Sequence, residues 1–526
     1  MYCGDETGAF VGDLGHNCSR FGYGGDDCPK HVVPSWSLAG GACPGSTLNC
    51  PPGILEGAEK SEDIVPIFDW SRSGGGVHPD DHLDSDLVSS WDAYEAAWSN
   101  AFVALRVRDG KKHSTGAGGG RQEEEGACIH PVLAVDGGHT CYGRDNLKGR
   151  DGDGGGPAAP SDRQRLRQRS EMIELLFEKF GAPAVFIAPS PMLAAFGHGK
   201  QTGLVVDVGG GGTRVTPVVD GLVLRSAQRR SGRGGEWLGS VHARALTDFC
   251  GAADVVPRYA LGSSIGAGGR KRRVAYGPSH AVRGTVFHRV AVADLMYELL
   301  TASHIKLPVW REDISVPFVG YDGERKRKRE DDDDNEGGTD DKGDDDDAGE
   351  EEEEDDEVQG TSYILPDGTK VDLAMSRQGR DLCRLPELFF TEEVPFVDLP
   401  EETPSPSTGS IAENTLSAAP IQRLVTSSLT AVGDGDARKE LCGSILLTGA
   451  SSLFPNMDAR LSYEISCLAP SAYKCKVVAS RNSIERRYAS WIGGSILTSL
   501  GSFQQLWLSR AEYEEYGATM ASNRFA

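Results

Sequence analysis

The apolar positions of this chain follow two periods. In DLVSSWDAYEAAWSNAFVALR (86–106) they fall at Leu87, Trp91, Tyr94, Trp98 and Phe102, the three-and-four spacing of one helical face. The spacing returns in RQRLRQRSEMIELLFEKF (163–180), with Met172, Leu175, Leu176 and Phe180 on one side, until Pro183 stops it. AVFIA (184–188) and IHPVLAVDG (129–137) are apolar runs too short for helices and read as strands. Residues 8–40 read as strands around turns, and YILPDGTKVDL (363–373) as a hairpin about Asp367-Gly368. SILLTGASSLFP (444–455) reads as a strand, a small-residue turn and a helix start. Residues 236–320 read as mainly helical with a break at GAGGRKRR, and 485–517 as helical. Residues 41–84, rich in Gly, Pro and Asp, give no assignment. Mixed strands and helices predict an α/β protein.

Length and composition divide this picture. A chain of 526 residues predicts two large lobes. A hydrophobic content of 38% is low for a wholly globular chain, so some segments are expected to be disordered. Glycine-rich interruptions at 110–126 and 142–161 are candidates, and residues 330–357 are the strongest. That tract holds 20 acids and one lysine, so it supplies 19 of the chain's 24 net negative charges and the folded body is only mildly acidic. Beside it stands ERKRKRE (324–330). Its five consecutive basic residues suit a nuclear import signal, expected over 324–328, or a counter-charge to the acids. GGRKRRVAYG is a weaker import candidate. No apolar stretch is long enough to span a membrane, and MYCGDETGAFVGD lacks the basic-then-apolar layout of a secretory leader. The 12 cysteines contain no CxxC pair, which predicts reduced, structural thiols in a cytosolic or nuclear protein.

Candidate chemistry centres on LVVDVGGGGTRVTPVVDG (204–221). No Lys-Ser or Lys-Thr follows Gly212, so this is not a Walker loop. It is a strand, Asp207-x-Gly209, further glycines and a returning strand. Such glycines let backbone N–H groups close on a phosphate, and an aspartate at the strand end suits a hydrated Mg²⁺. Alone, the pattern serves a structural hairpin equally well. A second copy, AFVGDLGHNCSRFGYGG (9–25), repeats it with Asp13-x-Gly15 and Arg20, which suggests two related lobes offering phosphate loops to one cleft. In LTGASSLFP (447–455), Gly449 and Ala450 leave room for a flat base, with Phe454 near enough to pack on it.

These segments resemble the actin family, within the hexokinase and chaperone-ATPase superfold. GYGGDDCPK (22–30), IHPVLAVD (129–136), ELLFEKFGAPAVF (174–186), KQTGLVVDVGGG (200–211) and ERRYASWIGGSILTSLGSFQQLWLSRAEYEEYG (485–517) are actin-like and in order, over roughly two-thirds of the chain. GDETGAFVGDLG, SWDAYEAAW, YILPDGTKVDL with LPELFF, and SIERRYASWIGG look closer to a nuclear class of actin-related proteins. The resemblance implies an actin fold with disordered inserts, two lobes of two subdomains each, and a nucleotide cleft between the lobes. Subdomain one would take 1–35, 85–197 and 488–526, and subdomain two 36–84. Subdomain three would take 198–233 and 417–487, and subdomain four 234–416. It also implies a nuclear subunit of chromatin-remodelling and histone-acetyltransferase complexes, acting in transcription and DNA repair. Such a subunit pairs with actin on a helix of a scaffold or motor subunit. Histones are a further expected partner, through the acidic tract. A cytoskeletal actin-related protein and an active ATPase are the alternatives.

By resemblance, Asp13, Gly15, His16 and Arg20 fall on the first phosphate loop, and Asp207, Gly209, Gly210 and Gly211 on the second. Gly235, Gly449, Ala450 and Phe454 fall around the adenosine. ATP or ADP with Mg, held through water by Asp13 and Asp207, is the implied cofactor. The hydrolytic groups are replaced: Ser190 of IAPSPM stands where the family has a water-orienting glutamine. Gly210 stands for a carboxylate and Arg214 for a histidine. Nucleotide binding without turnover is therefore expected, and so is a protein that is not an enzyme. The inserts predict that it does not form filaments.

Overall fold

The computed structural model describes residues 8–38, 64–68, 88–107, 128–137, 162–250, 255–256, 261–265, 271–275, 286–301, 307, 362–366, 369–372, 381–391, 419–470 and 473–525. The basic run, the acidic tract, most of 41–84 and the inserts 110–126 and 142–161 lie outside them.

Two mixed sheets organise these residues. The first runs β18-β7-β6-β1-β2-β3 and the second β10-β9-β8-β16-β17, with β11 on β9. Here β1 is Phe10–Leu14, β2 Cys18–Tyr23, β3 His31–Pro34, β4 Trp36–Leu38, β5 Ile64–Pro66, β6 Val132–Asp136 and β7 Ala184–Pro189. β8 is Gly203–Val208, β9 Thr213–Val219, β10 Leu222–Val223 and β11 Arg229–Ser231. β12 (Leu261–Ile265) and β13 (Lys271–Ala275) form one hairpin, β14 (Ser362–Ile364) and β15 (Lys370–Asp372) another. β16 is Ile445–Thr448, β17 Val477–Ala479 and β18 Leu508–Ser509. The plan repeats. In each sheet a leading strand, β1 or β8, lies parallel to a later strand, β6 or β16, and antiparallel to the next strand in the chain.

Strands β1 and β6 are buried at every position, because helices cover both faces of their sheet. Phe10 and Ala134 join Trp98, Phe102, Phe177 and Phe180 on one side; Val11, Leu133 and Val135 join Leu193, Trp491 and Phe503 on the other. The first side is covered by helix Trp91–Ala104, where Tyr94, Trp98 and Phe102 are buried as the spacing predicts and Ser90 caps the start. The predicted 163–180 helix is an α-helix over Asp162–Glu174 that widens to a π-helical turn at Leu175–Lys179. The second side carries helices Ser190–Gly197 and Ala489–Thr498, which cross in close contact. The second sheet has its own core, with Leu204, Val206, Trp237, Leu424 and Ile445 among its buried residues. Ala194, Ala195, Val205, Leu446 and Ala489 join the two lobes.

Three readings change. Residues 236–320 hold helices Gly235–Cys250 and Val286–Leu300, but between them the residues flanking Gly-Ala-Gly-Gly pair as a hairpin, from Leu261↔Ala275 to Ile265↔Lys271. Two paired strands thus stand where a helix was expected, and Lys271–Arg273 of the weaker import candidate lie on one of them. Residues 485–517 are helical except for β18, which extends the first sheet by pairing with β7. The import signal expected over 324–328 moves by one residue. Position 324 is Glu324, an acid and not an arginine, so the basic side chains are Arg325, Lys326, Arg327, Lys328 and Arg329. A carboxylate at the head of the run cannot contribute to a cationic signal, and the five basic residues stand between Glu324 and Glu330. Cys18, Cys28, Cys128, Cys383, Cys442, Cys467 and Cys475 are free thiols.

Candidate functional site

β1 and β8 deliver their last residues to the edge where parallel strands end, the place an α/β sheet offers a ligand. Each then reverses through the same pattern, Asp-x-Gly followed by Arg seven residues after the aspartate: Asp13 with Arg20, and Asp207 with Arg214. The antiparallel register sets each arginine directly opposite its aspartate. Arg20 Nη1 donates to Asp13 Oδ2 at 2.9 Å, and Arg214 Nη1 stands 3.7 Å from Asp207 Oδ2. Burial alone would lower the Arg20 pKa, but its interactions with neighbouring groups, the hydrogen-bonded Asp13 carboxylate among them, more than reverse this, so the guanidinium stays charged.

Both turns are held by their own backbone. The Gly15 amide donates to Cys18 O at 3.1 Å, and Ser35 Oγ donates to Gly15 O at 2.5 Å. The Gly209 amide donates to Gly212 O at 3.0 Å. The amides of Gly235 and Glu236, at the start of a helix and so lacking partners within it, donate to Gly209 O at 2.9 Å and Gly210 O at 3.0 Å.

The loops converge closely. A Cβ at Gly210 would lie 2.8 Å from Asn17 Oδ1, and one at Gly235 would lie 2.6 Å from Ser451 Oγ. Thr448, at the end of β16, is in register with Asp207, so Gly449 follows directly beside that carboxylate. Gly449 has φ +95°, and a Cβ there would lie 2.5 Å from Asp207 Oδ1. The hairpins are also bridged: His16 Nδ1 is 2.5 Å from Glu236 Oε1, with both side chains less than a tenth exposed.

Asp13, Gly15, His16, Arg20, Asp207, Gly209, Gly210, Gly211, Gly235 and Gly449 thus come together. Ala450 opens a 3₁₀ turn, Ala450–Leu453, at the same edge. Phe454 packs on the second-lobe core, its ring 6.3 Å from that of Phe389. Asn17, Glu236 and Ser451 escaped the sequence reading. Glu236 carried a signal, an acid in the first turn after Gly-Gly. Ser190, after β7, shares a hydrogen bond with Ser490, Oγ to Oγ at 2.8 Å.

The set fits a polyphosphate. Three glycine-lined turns meet, and Arg20 Nε is a buried donor with no hydrogen-bond partner. It does not fit a divalent ion. Each carboxylate already holds a guanidinium, which repels a second cation, and among the described residues no group of three or more His, Cys, Asp or Glu could hold a metal.

The actin family description matches residues 158–526. Proteins named actin-related protein 4 are similar over nearly the whole chain. That of Arabidopsis thaliana is 28% identical, covering 99% of this chain and 98% of its own length. That of Oryza sativa subsp. japonica is 29% identical with the same coverage. That of Neurospora crassa is 28% identical, covering 100% of this chain and 96% of its own. The repeated sheet plan, the facing Asp-Gly hairpins and a match over most of the chain agree: this chain belongs to the actin family.

Proposed function

We propose that this protein is a nuclear, architectural actin-related protein that binds ATP or ADP between its two hairpins without turning it over. The observation that carries this is Ser190. In the turn where the resemblance places a water-orienting glutamine, a short hydroxyl is engaged by Ser490 instead. Phosphoryl transfer depends on positioning and charge, so losing the side chain that aligns water costs orders of magnitude in rate. Bound nucleotide then acts as a structural ligand, stabilising whichever lobe arrangement holds it. In a single-turnover assay, no release of γ-phosphate is expected within minutes; release on that scale would overturn this part.

The protein's place is in chromatin-remodelling and histone-acetyltransferase complexes, beside actin on a helix of a scaffold or motor subunit. Supporting this are the opening GDETGAFVGDLG, the run Arg325–Arg329 and the relatives named actin-related protein 4. The acidic tract offers histones a complementary charge. No described helix is long and apolar enough to cross a membrane. Gentle purification of the tagged protein from its own cells is expected to recover a motor subunit, an acetyltransferase scaffold and actin. Recovery of cytoskeletal partners, or of none, would remove the chromatin reading.

A further inference from the structure

The duplicated Asp-Arg pairs have a consequence for the charge of the cleft. A triphosphate is strongly anionic, and it is commonly held with a divalent cation that offsets its charge beside protein carboxylates. Here both candidate carboxylates are neutralised from within the chain. Arg20 stands opposite Asp13 and Arg214 opposite Asp207, each fixed by the register of its hairpin. The side chains are 16% and 10% exposed in the first pair and 13% and 28% in the second. In so little water the attraction is weakly screened and each pair persists as a unit. A third cation stands at the glycine loop, where Arg230 Nη2 donates to Gly211 O at 3.4 Å. The hairpin loops thus pair each candidate aspartate with a guanidinium and add a third guanidinium beside them, while a further carboxylate, Glu236, is bridged to His16.

A guanidinium has five N–H donors in a planar fork, enough to serve a carboxylate and a phosphate at once. Arg20 shows this division. Its Nη1 is given to Asp13, while its buried Nε has no hydrogen-bond partner. We infer that Arg20 and Arg214 together take the role of the divalent cation, so that ATP binds this protein without magnesium. Asp13 and Asp207 then act as positioning residues, each holding a guanidinium toward the phosphates. The inference rests on the nucleotide reading above.

The test is calorimetric titration of ATP into the full-length protein, freed of nucleotide, once with magnesium chloride and once with EDTA. The two dissociation constants are expected to agree within about threefold. Replacing Arg214→Ala is expected to weaken binding at least about tenfold in both buffers, the scale of one charge-assisted hydrogen bond. A wild-type affinity more than about tenfold weaker in EDTA would overturn the inference and leave the nucleotide reading standing, and this comparison needs no variant. An Arg214→Ala protein that melts like wild type and binds ATP equally well would also overturn it. Absence of binding in both buffers would end the nucleotide reading and this inference together.

Discussion

Replacing Gly493 with alanine is expected to cost at least about 3 kcal/mol of stability, at the upper end of what overpacking a core does. Helix Ala489–Thr498 crosses helix Ser190–Gly197 so closely that a Cβ at Gly493 would lie 1.8 Å from Leu193 O and 2.5 Å from Leu193 C. A side chain tip could rotate away; a backbone carbonyl within a helix cannot without breaking its own hydrogen bond. The contact is two-sided, since a Cβ at Gly197 would lie 2.4 Å from Ala489 O. Relief requires the helices to separate, which would open the packing of Leu193 and Trp491 against the first sheet. Gly501→Ala is the control, with nothing within 4 Å of its new methyl, and is expected within about 0.5 kcal/mol of wild type. Urea denaturation of both variants decides the matter. Equal midpoints would show that the crossing tolerates expansion.

Arg460→Ala is expected to be comparably damaging for a different reason. Arg460 Nη2 is 2.5 Å from Glu387 Oε1, each side chain is only 2% exposed, and Nη1 reaches Glu464. The guanidinium also lies 5.0 Å from the Phe390 ring centroid. Removing it strands a buried carboxylate, at a cost of about 3–5 kcal/mol. The pH dependence has a definite sign. Burial pushes the Glu387 carboxyl above its ordinary range even in wild type, with Arg460 pulling it back. Without Arg460 the native pKa rises further, so the folded variant binds a proton that the unfolded chain releases. Its stability should therefore be best preserved in acid and fall as pH rises through the raised pKa, more steeply than for wild type. Urea midpoints measured from about pH 5 to 8 test this, that window lying above the ordinary carboxylate pKa. Parallel curves for the two proteins would refute it. Glu387→Gln in the same chain should recover part of the loss.

Much of this fold was legible because its signals are local. The face of Tyr94, Trp98 and Phe102 needed only helical spacing, and the two hairpins only an apolar run, Asp-x-Gly and a return. Their convergence was foreseen from the duplication rather than from any contact. What binds them together was not readable. His16 and Glu236 are 220 residues apart, and nothing in either neighbourhood marks the other as a partner. The β12–β13 hairpin was misread because glycine both ends a helix and turns a strand, and only the pairing of Leu261 with Ala275 distinguishes the two. Phe454 was read from its nearness to Gly449 in sequence, and the 3₁₀ turn between them and the neighbouring Phe389 ring left no sequence signal.

The last strand, β18, bears on how the protein is made. It lies at the edge of the first sheet, and helix Arg510–Arg524 closes behind it, with Arg169 Nη1 donating to Phe525 O at 3.1 Å. Every element of the second sheet lies between residues 203 and 479. On the ribosome, the second lobe is therefore complete while the first still waits for its final residues. Until Trp491 and Phe503 emerge, the apolar face formed by Val11, Leu133 and Val135 lacks the cover they add to that of Leu193. Although β1 and β6 precede the second sheet in the chain, their lobe closes after it, and for that interval the nascent chain exposes the kind of surface that chaperones bind.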